Sequence, residues 1–267
     1  MRSATKIVRI AAIGDLHYSR NAPTGSLQAL LSQVNESADI LVICGDLTDY
    51  GMPDEARALA REMAVVKVPA VAVLGNHDFE SSQQRELKAI LGDAGITLLD
   101  GDSTEILGIG FAGVKGFAGG FGHRALGPWG EDIIKSFVRE AVDEALKLES
   151  ALARLRNDKR IAVLHYAPIE ATVEGEPLEI FPFLGCSRLE EPLGRYPVTA
   201  VFHGHAHHGR PEGRTAKGVP VFNVSMSLMR QVFPNRPFRV LEVDMTTPAD
   251  DRRTGLDRRL AEITTEP

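Results

Sequence analysis

The chain alternates short apolar runs with longer amphipathic segments. Seven runs rich in β-branched residues predict buried strands, because a strand covered on both faces carries apolar side chains at consecutive positions. These runs span residues 6–14, 39–45, 70–75, 161–165, 198–204, 218–225 and 238–244. Four longer segments repeat apolar residues at the spacing of a helix that packs on a sheet. These segments cover residues 26–37, 53–66, 81–95 and 131–156.

The order of these elements predicts an α/β fold. In the first third of the chain, strand, helix and strand follow one another as in βαβ units, which favours a mainly parallel sheet. From residue 198 onward only turn-like stretches separate the apolar runs, which predicts a second, more antiparallel sheet. Two mixed sheets packed face to face and flanked by helices form a four-layer α/β/β/α sandwich. We expect residues 1–246 to form this domain and the polar residues 247–267 to form a frayed or loosely docked tail.

Composition restricts the class of protein. The 267 residues are 43% hydrophobic and 25% charged, as in ordinary globular proteins, and the net charge of −6 gives no general attraction for nucleic acid. Only two cysteines occur, so a reducing compartment fits better than a disulfide framework. We find no pattern typical of a signal peptide and no apolar stretch of membrane-spanning length. We therefore expect a cytoplasmic protein that does not associate with membranes, and the sequence leaves its oligomeric state open.

One long stretch, residues 108–130, is rich in glycine and does not favour regular structure throughout. It also carries the only tryptophan, Trp129, together with His123 and Arg124. A long loop with an aromatic ring and a cation is a candidate lid or substrate wall. A mobile surface loop is an equally good interpretation, and the sequence leaves both open.

Side chains able to bind metals follow five of the predicted strands. They are Asp15 and His17, then Asp46 and Asp49, then Asn76, His77 and Asp78, then His165, and finally His205 and His207 in the stretch "VFHGHAHHG". Because loops at the carboxyl ends of strands in an α/β sheet converge on one crevice, we expect these groups to meet. Asp78 is also well placed to cap a helix near Ser81, which is the role that we expect for it. His203 and His208 are expected to be neighbours of the cluster, and His208 is also a candidate contact for a substrate.

Such a cluster is costly to bury unless a cation neutralises it. Oxygen and imidazole ligands without thiolate suit manganese, iron or zinc. Two carboxylates, one amide and four imidazoles make seven donors, which exceed the needs of one tetrahedral ion, whereas two ions that share a bridging carboxylate would use them all. The sequence therefore predicts a centre with two metal ions.

The ordered motifs GDLH, GDLTD, GNHD, a later histidine and GHAH resemble those of the calcineurin-like metallophosphoesterase superfamily, over residues 10–210 or so. The third motif, GNHD, is similar to that of the cyclic-nucleotide phosphodiesterase-like members. Protein serine/threonine phosphatases of this superfamily have a phosphate-binding arginine where this chain has Tyr50, which argues against a phosphoprotein substrate.

The resemblance implies a role for each residue and a two-sheet α/β sandwich. Asp15, His17 and His207 would hold the first metal, Asn76, His165 and His205 the second, and Asp46 would bridge the two. A hydroxide between the metals would attack phosphorus in line. His77 would assist the leaving oxygen, with Asp49 orienting it.

The sequence thus predicts a metal-dependent phosphoric ester hydrolase, acting on phosphodiesters or phosphomonoesters of small size. A nuclease of the same superfamily is the first alternative, although the acidic composition speaks against nucleic acid. The second alternative is a metal-binding scaffold module without catalytic activity, as in the retromer subunit of similar fold. The complete set of ligands, together with His77, argues against that alternative.

Overall fold

A computed structural model describes residues 6–246 of the chain. Within that range lie eleven strands: β1 (Ile7–Ile13), β2 (Ile40–Cys44), β3 (Ala70–Val73), β4 (Ile96–Leu98), β5 (Asp102–Ile106), β6 (Ile109–Gly113), β7 (Arg160–Val163), β8 (Ala200–His203), β9 (Glu212–Arg214), β10 (Pro220–Asn223) and β11 (Arg239–Asp244). The same range contains seven α-helices: α1 (Gln28–Ser37), α2 (Pro53–Met63), α3 (Gln84–Asp93), α4 (Asp132–Arg154), α5 (Phe181–Leu184), α6 (Glu190–Arg195) and α7 (Met226–Val232). None of these helices is long and apolar enough to cross a bilayer.

The strands form two sheets. The first has the order β11-β1-β2-β3-β4, parallel except for β11, which runs antiparallel to β1. The second has the order β5-β6-β7-β8-β10-β9. The predicted mainly parallel first sheet is confirmed.

Three apolar layers hold the sandwich together. One lies between the first sheet and helices α1, α2 and α3, and includes Leu31, Leu59 and Leu87. A second fills the space between the sheets, where side chains such as Phe111 and Phe202 are fully buried. The third lies between the second sheet and α4 with α6. The predicted four-layer α/β/β/α architecture is therefore confirmed.

The second sheet differs from the prediction. Its four central strands, β6, β7, β8 and β10, are parallel, and only the edge strands β5 and β9 run antiparallel to their neighbours. The last apolar run was expected in this sheet but forms β11 of the first one. The reason is α7, a helix after β10 that the sequence reading missed and that carries the chain back to the first sheet.

The glycine-rich stretch also contains more regular structure than predicted, because its first residues form the buried central strand β6. A Cβ atom on Gly113 would lie 2.8 Å from the side chains of Leu99 and Val73, and one on Gly110 would meet Leu155. Close packing, rather than a loop, accounts for these two glycines. The tail predicted for residues 247–267 lies outside the described residues.

Candidate metal centre

The loops that follow β1, β2, β3, β7 and β8 meet at one edge of the sandwich. The loop after β1 lies along the loop after β2, since the backbone N–H of Asp15 donates to Gly45 O at 3.0 Å and that of His17 to Asp46 O at 3.0 Å. The loops after β7 and β8 are joined in the same way, from Gly204 N to His165 O at 3.1 Å. Parallel strands thus deliver their polar ends to a single place, as their topology requires.

Asp15, His17 and His207 form one cluster, which we call the first half of the centre. One potential ligand atom from each lies within 4.8 Å of the others. His207 Nε2 is 3.1 Å from Asp15 Oδ1, and the rings of His17 and His207 are 5.4 Å apart between centroids.

Asn76, His165 and His205 form the second half. His165 Nε2 lies 2.8 Å from Asn76 Oδ1, and the rings of His165 and His205 are 4.7 Å apart. Potential ligand atoms of His165, His205 and Asp46 all lie within 4.8 Å of one another.

Asp46 lies between the two halves. Its Oδ2 is 3.4 Å from His165 Nε2 on one side and 3.7 Å from His17 Nε2 on the other. Its second oxygen, Oδ1, accepts a hydrogen bond from the backbone N–H of His77 at 2.9 Å. One buried carboxylate oxygen is therefore within reach of both groups of histidines.

Hydrogen bonds to the backbone set the tautomers of the second half. His165 Nδ1 is 2.9 Å from the carbonyl oxygen of Cys44, and His205 Nε2 is 3.1 Å from that of Phe183. A carbonyl only accepts, so each of these nitrogens carries the proton. The remaining nitrogen of each ring, Nε2 of His165 and Nδ1 of His205, keeps a lone pair that can bind a metal.

These contacts suit a bound cation. The lone pair of His165 Nε2 faces the oxygens of Asn76 and Asp46, so three acceptor atoms converge without a donor between them. His17 Nε2 is buried and has no hydrogen-bond partner. Buried polar atoms are nearly always satisfied, and a metal ion would satisfy all of these at once. The residues therefore fit the metal ions that the sequence predicts.

Electrostatics differ between the halves. Burial lowers the pKa of His165 well below its ordinary value and that of His205 to about 3, so both rings are neutral at pH 7. The hydrogen bond to Asp15 instead raises the pKa of His207. Burial, reinforced by the nearby Asp15 carboxylate, raises the pKa of Asp46 well above its ordinary range. A cation would offset the cost of ionising that carboxyl.

The backbone is strained at the same residues. Four of the six non-glycine residues with positive φ in the described chain belong to the cluster: Asp15 (57°), His17 (43°), Asp46 (47°) and His205 (69°). Left-handed backbone at a non-glycine residue costs on the order of 1–3 kcal/mol and concentrates at functional sites.

Glycines leave the space that these side chains occupy. A Cβ atom on Gly45 would collide with the ring of His165, and one on Gly75 or Gly204 would collide with the carboxylate of Asp46 or Asp15. The glycine that ends each of three predicted strands is therefore explained by the approach of a ligand side chain.

Comparison with known proteins agrees with this geometry. Residues 8–209 of the 267 match the model of the family described as calcineurin-like phosphoesterase. The chain belongs to the calcineurin-like phosphoesterase family.

One relative of this calcineurin-like phosphoesterase is an Arcobacter nitrofigilis protein named "Probable glycerophosphodiester phosphodiesterase GpdQ", which is 23% identical over 190 residues. The match covers 66% of this chain and 59% of the relative's length. Among solved structures, the phosphopantetheinyl hydrolase PptH of Mycobacterium tuberculosis superposes with a TM-score of 0.61 at 16% identity, over 90% of this chain and 98% of that one. GAP50, the anchor in the inner membrane complex of Plasmodium, gives 0.52 at 12% identity, over 83% and 72%. At such identities the two structures show a shared fold.

His77 of this phosphoesterase lies beside the first half, with its ring edge-on to that of His17 at 4.5 Å between centroids. Its Nδ1 donates to the backbone oxygen of Asp49 at 2.7 Å, and Glu80 Oε1 is 3.4 Å from the same nitrogen. The carboxylate of Asp49 is instead 3.7 Å from Nδ1 of His17. Asp49 thus contacts His77 through its main chain, which leaves Nε2 of His77 available to a substrate.

Asp78 does not cap a helix near Ser81, contrary to the prediction. It is completely buried and accepts hydrogen bonds from the backbone of Leu47 (3.1 Å), Thr48 (2.8 Å) and Gly75 (2.8 Å), and from the Thr48 hydroxyl (2.6 Å). It therefore braces the loops that carry Asp46 and Asn76. Leu47 and Thr48 are about thirty residues away from Asp78 in the chain, so these contacts leave no local sequence signal.

The remaining candidates lie outside the cluster. The buried His203 pairs with the Thr172 hydroxyl at 2.8 Å, and the backbone of His208 donates to Glu176 at 2.7 Å. Among residues 6–246, none of the groups of potential metal ligands includes His123. Trp129 is largely exposed.

Proposed function

We propose that this protein is a hydrolase of small phosphodiesters or phosphomonoesters that works with two metal ions, of manganese, iron or zinc. The observation that carries the proposal is the buried Asp46 carboxylate, one oxygen of which lies within 3.7 Å of a histidine nitrogen on either side. Asp15, His17 and His207 would hold one ion, Asn76, His165 and His205 the other, and Asp46 would bridge them.

When bound, the metals would supply Lewis acids for the phosphoryl oxygens and lower the pKa of a nucleophilic water. The chain's own residues prepare this chemistry. The neutral rings of His165 and His205 offer lone pairs at fixed nitrogens. His77, held through Nδ1 by the Asp49 carbonyl, can donate from Nε2 in its doubly protonated form to the leaving oxygen. General acid assistance of this kind typically contributes about 10²–10⁴-fold.

A diester substrate is favoured by the relative named as a glycerophosphodiester phosphodiesterase. Because this chain spans 59% of that relative's length, its substrate stays a proposal. The net charge of −6 makes nucleic acid a less suitable substrate. The cytoplasmic location and the single domain over residues 1–246 also stay predictions.

The test is hydrolysis of bis-p-nitrophenyl phosphate by the full chain with added Mn²⁺. We expect activity that EDTA abolishes, that Asp46→Ala and Asn76→Ala remove, and that the surface control Asp132→Ala retains. Activity insensitive to EDTA would contradict the proposal. Bound metal without hydrolysis of any ester would favour the scaffold alternative, and selective cleavage of DNA or RNA would favour the nuclease.

A further inference from the structure

Exposed apolar side chains occur on two segments whose backbone contacts the candidate metal centre. Tyr50 and Met52 follow β2 on the loop that carries Asp46, and Leu178, Ile180 and Phe183 lie on the segment between β7 and β8. We call these five residues the apolar rim. Exposed apolar surface costs free energy and, where it is contiguous, usually marks a binding site.

Two aromatic residues of the rim lie next to the histidines of the centre. The carbonyl oxygen of Phe183 accepts the hydrogen bond from His205 Nε2 at 3.1 Å. The carbonyl that accepts from His77 Nδ1 at 2.7 Å belongs to the peptide group joining Asp49 to Tyr50. The side chains of Tyr50 and Phe183 are nevertheless 58% and 59% exposed. The backbone of a residue with an exposed ring therefore lies beside each half of the centre.

The backbone of the rim is held in place. The carboxylate of the buried Glu55 accepts hydrogen bonds from the N–H groups of Tyr50 at 2.9 Å and Met52 at 3.2 Å. The segment with Phe183 is tied on both sides, from Gly119 N to Pro182 O at 2.7 Å and from Ala167 N to Leu184 O at 3.0 Å. A fixed backbone presents these apolar side chains at little further entropic cost, which suits a preformed binding surface.

Charged groups of both signs lie near Leu178. Glu176 and Glu179 flank it in the sequence, whereas Arg124 lines the same cavity as Leu178, and Leu178 itself is 66% exposed. Opposite charges offset one another there, so the apolar side chains determine the preference. An uncharged apolar group would bury the exposed rings and Leu178.

We propose that the apolar rim binds the organic group of the substrate, which makes this protein selective for phosphodiesters carrying an aromatic ring or alkyl chain over those carrying glycerol or a sugar. The inference rests on the proposed function, since it assigns the reacting phosphate to the metal centre. Tyr50 and Phe183 are the residues that determine this selectivity.

A series of diesters with one constant leaving group tests this. Methyl, butyl, phenyl and glyceryl p-nitrophenyl phosphates all release p-nitrophenol, so differences in kcat/KM report the varied group. We expect kcat/KM to rise at least about tenfold from methyl to phenyl, as apolar contacts of this size allow, with the glyceryl ester no better than the methyl one. A flat series in the wild type would overturn the inference. Failure to hydrolyse any ester would instead overturn the proposed function.

Variants then show which side chains produce the preference for the phenyl over the methyl ester. Phe183→Ser and Tyr50→Ser should each reduce the phenyl-to-methyl ratio to within about threefold, while Phe183→Leu should keep most of it. The control is Leu146→Ser on α4, where the side chain is 53% exposed and distant in the fold from the loops of the centre. A ratio equally unaffected in Phe183→Ser, Tyr50→Ser and Leu146→Ser would contradict the inference.

A binding measurement tests the apolar rim without requiring that the protein hydrolyse its ligand. Calorimetry should show that the metal-loaded protein binds phenylphosphonate at least about tenfold more tightly than methylphosphonate, with a more negative heat-capacity change for the phenyl compound because apolar surface is buried. This preference should be lost in Phe183→Ser and kept in Leu146→Ser. Equal affinity of the wild type for the two phosphonates would count against the rim as the ligand site.

Discussion

The two halves of the centre hold their histidines in different ways. In the second half, His165 and His205 each direct one ring nitrogen to a backbone carbonyl, and burial lowers the pKa of both. In the first half, His207 directs its Nε2 to the carboxylate of Asp15, which raises its pKa. In the first half, a proton therefore lies between Asp15 and His207, which are both prospective metal ligands. In the second half, the rings of His165 and His205 are already neutral.

The difference follows from position in the fold. His165 follows the central strand β7 and is completely buried, whereas the side chain of His207 is 34% exposed. Burial disfavours an imidazolium, and a backbone carbonyl selects one tautomer without introducing charge. A carboxylate at hydrogen-bond distance favours the imidazolium. The second half is therefore preorganised for metal, and the first half must lose a proton to bind it.

The largest effect is expected when a histidine is removed from each half in turn. His165→Ala should lower kcat/KM by about 10³-fold or more, because loss of an ion forfeits several kcal/mol of charge stabilisation, and excess metal should not restore it. His207→Ala should weaken the first ion but respond to added Mn²⁺. Activity assays across a metal titration measure both. His123→Ala is the control, and rescue of His165→Ala by metal as easily as His207→Ala would contradict the comparison.

The second-largest effect is expected in the pH dependence of metal binding, which should differ between the two halves. Below the raised pKa of His207 a proton competes with the first ion, so the apparent affinity of that ion should fall by up to about tenfold per pH unit. Because the pKa of His205 is about 3, its ring need lose no proton to bind metal between pH 5.5 and 7.5, a range chosen for the titration, and the lowered pKa of His165 acts in the same direction. Asp46, the proposed bridge, would affect both ions.

Calorimetric Mn²⁺ titrations at the two ends of that range measure the effect. The weaker-bound ion should lose affinity on acidification more than the tighter-bound one. In His207→Gln this excess dependence should disappear, because glutamine does not titrate. An identical pH dependence for the two ions would show that the halves do not differ in protonation.

Glycine substitutions test how closely the backbone packs against a candidate ligand side chain in each half. Gly45→Ala puts a Cβ into the His165 ring at a φ of +80° and should reduce the free energy of unfolding by about 2–4 kcal/mol. Gly204→Ala puts a Cβ against the carboxylate of Asp15 and 2.8 Å from the carbonyl oxygen of Cys44, but Gly204 has no positive φ, so it should cost less, roughly 1–3 kcal/mol. Urea unfolding of the metal-free protein measures both.

The matched control for these substitutions is Gly92→Ala in α3. A Cβ atom there has no neighbour within 4 Å, and the residue lies inside a helix. This change should stabilise the protein by about 0.5–1 kcal/mol. Equal destabilisation by Gly45→Ala and Gly204→Ala would indicate that the backbone conformation at Gly45 contributes nothing.

Much of the fold was predictable because its elements follow from local patterns of apolar and polar residues. The helix predicted at 131–156 is α4 (Asp132–Arg154), since apolar side chains at helical spacing cover a sheet. The four missed strands have weaker patterns. β4 and β9 have three residues each, β5 (Asp102–Ile106) is a polar, partly exposed edge, and β6 carries two glycines. The placement of β11 beside β1 depends on which sheet edge is free, and no local pattern carries that information.

In the candidate centre, too, some features could be predicted from the sequence and others could not. Its residues could be found from the sequence because each follows a strand, all but His165 after a glycine, and parallel strands bring such positions together. The protonation of each half could not be predicted. It depends on which atom lies opposite each ring nitrogen, such as the Cys44 carbonyl for His165 and the Asp15 carboxylate for His207. These pairs are 121 and 192 residues apart in the chain.

The smallest expected effect concerns the brace under the second half. Asp78→Asn keeps the shape of the side chain but replaces one acceptor oxygen by an NH₂ group that would face the backbone donors of Leu47 and Gly75 or those of Thr48. Leaving buried donors unpaired should cost about 1–3 kcal/mol of stability. Loosening the loops of Asp46 and Asn76 should also weaken metal binding by about tenfold, as for other groups that position ligands.

Thr48→Val is the matched control for this brace, because it removes only the hydroxyl contact to Asp78 and leaves the three backbone donors in place. It should cost about 0.5–1.5 kcal/mol, with both ions bound as in the wild type. Calorimetric Mn²⁺ titration with urea unfolding distinguishes the two variants. If Asp78→Asn bound both ions with unchanged affinity, preorganisation of the second half would have to come from the Cys44 and Phe183 carbonyls alone, since these hold its rings independently of the brace.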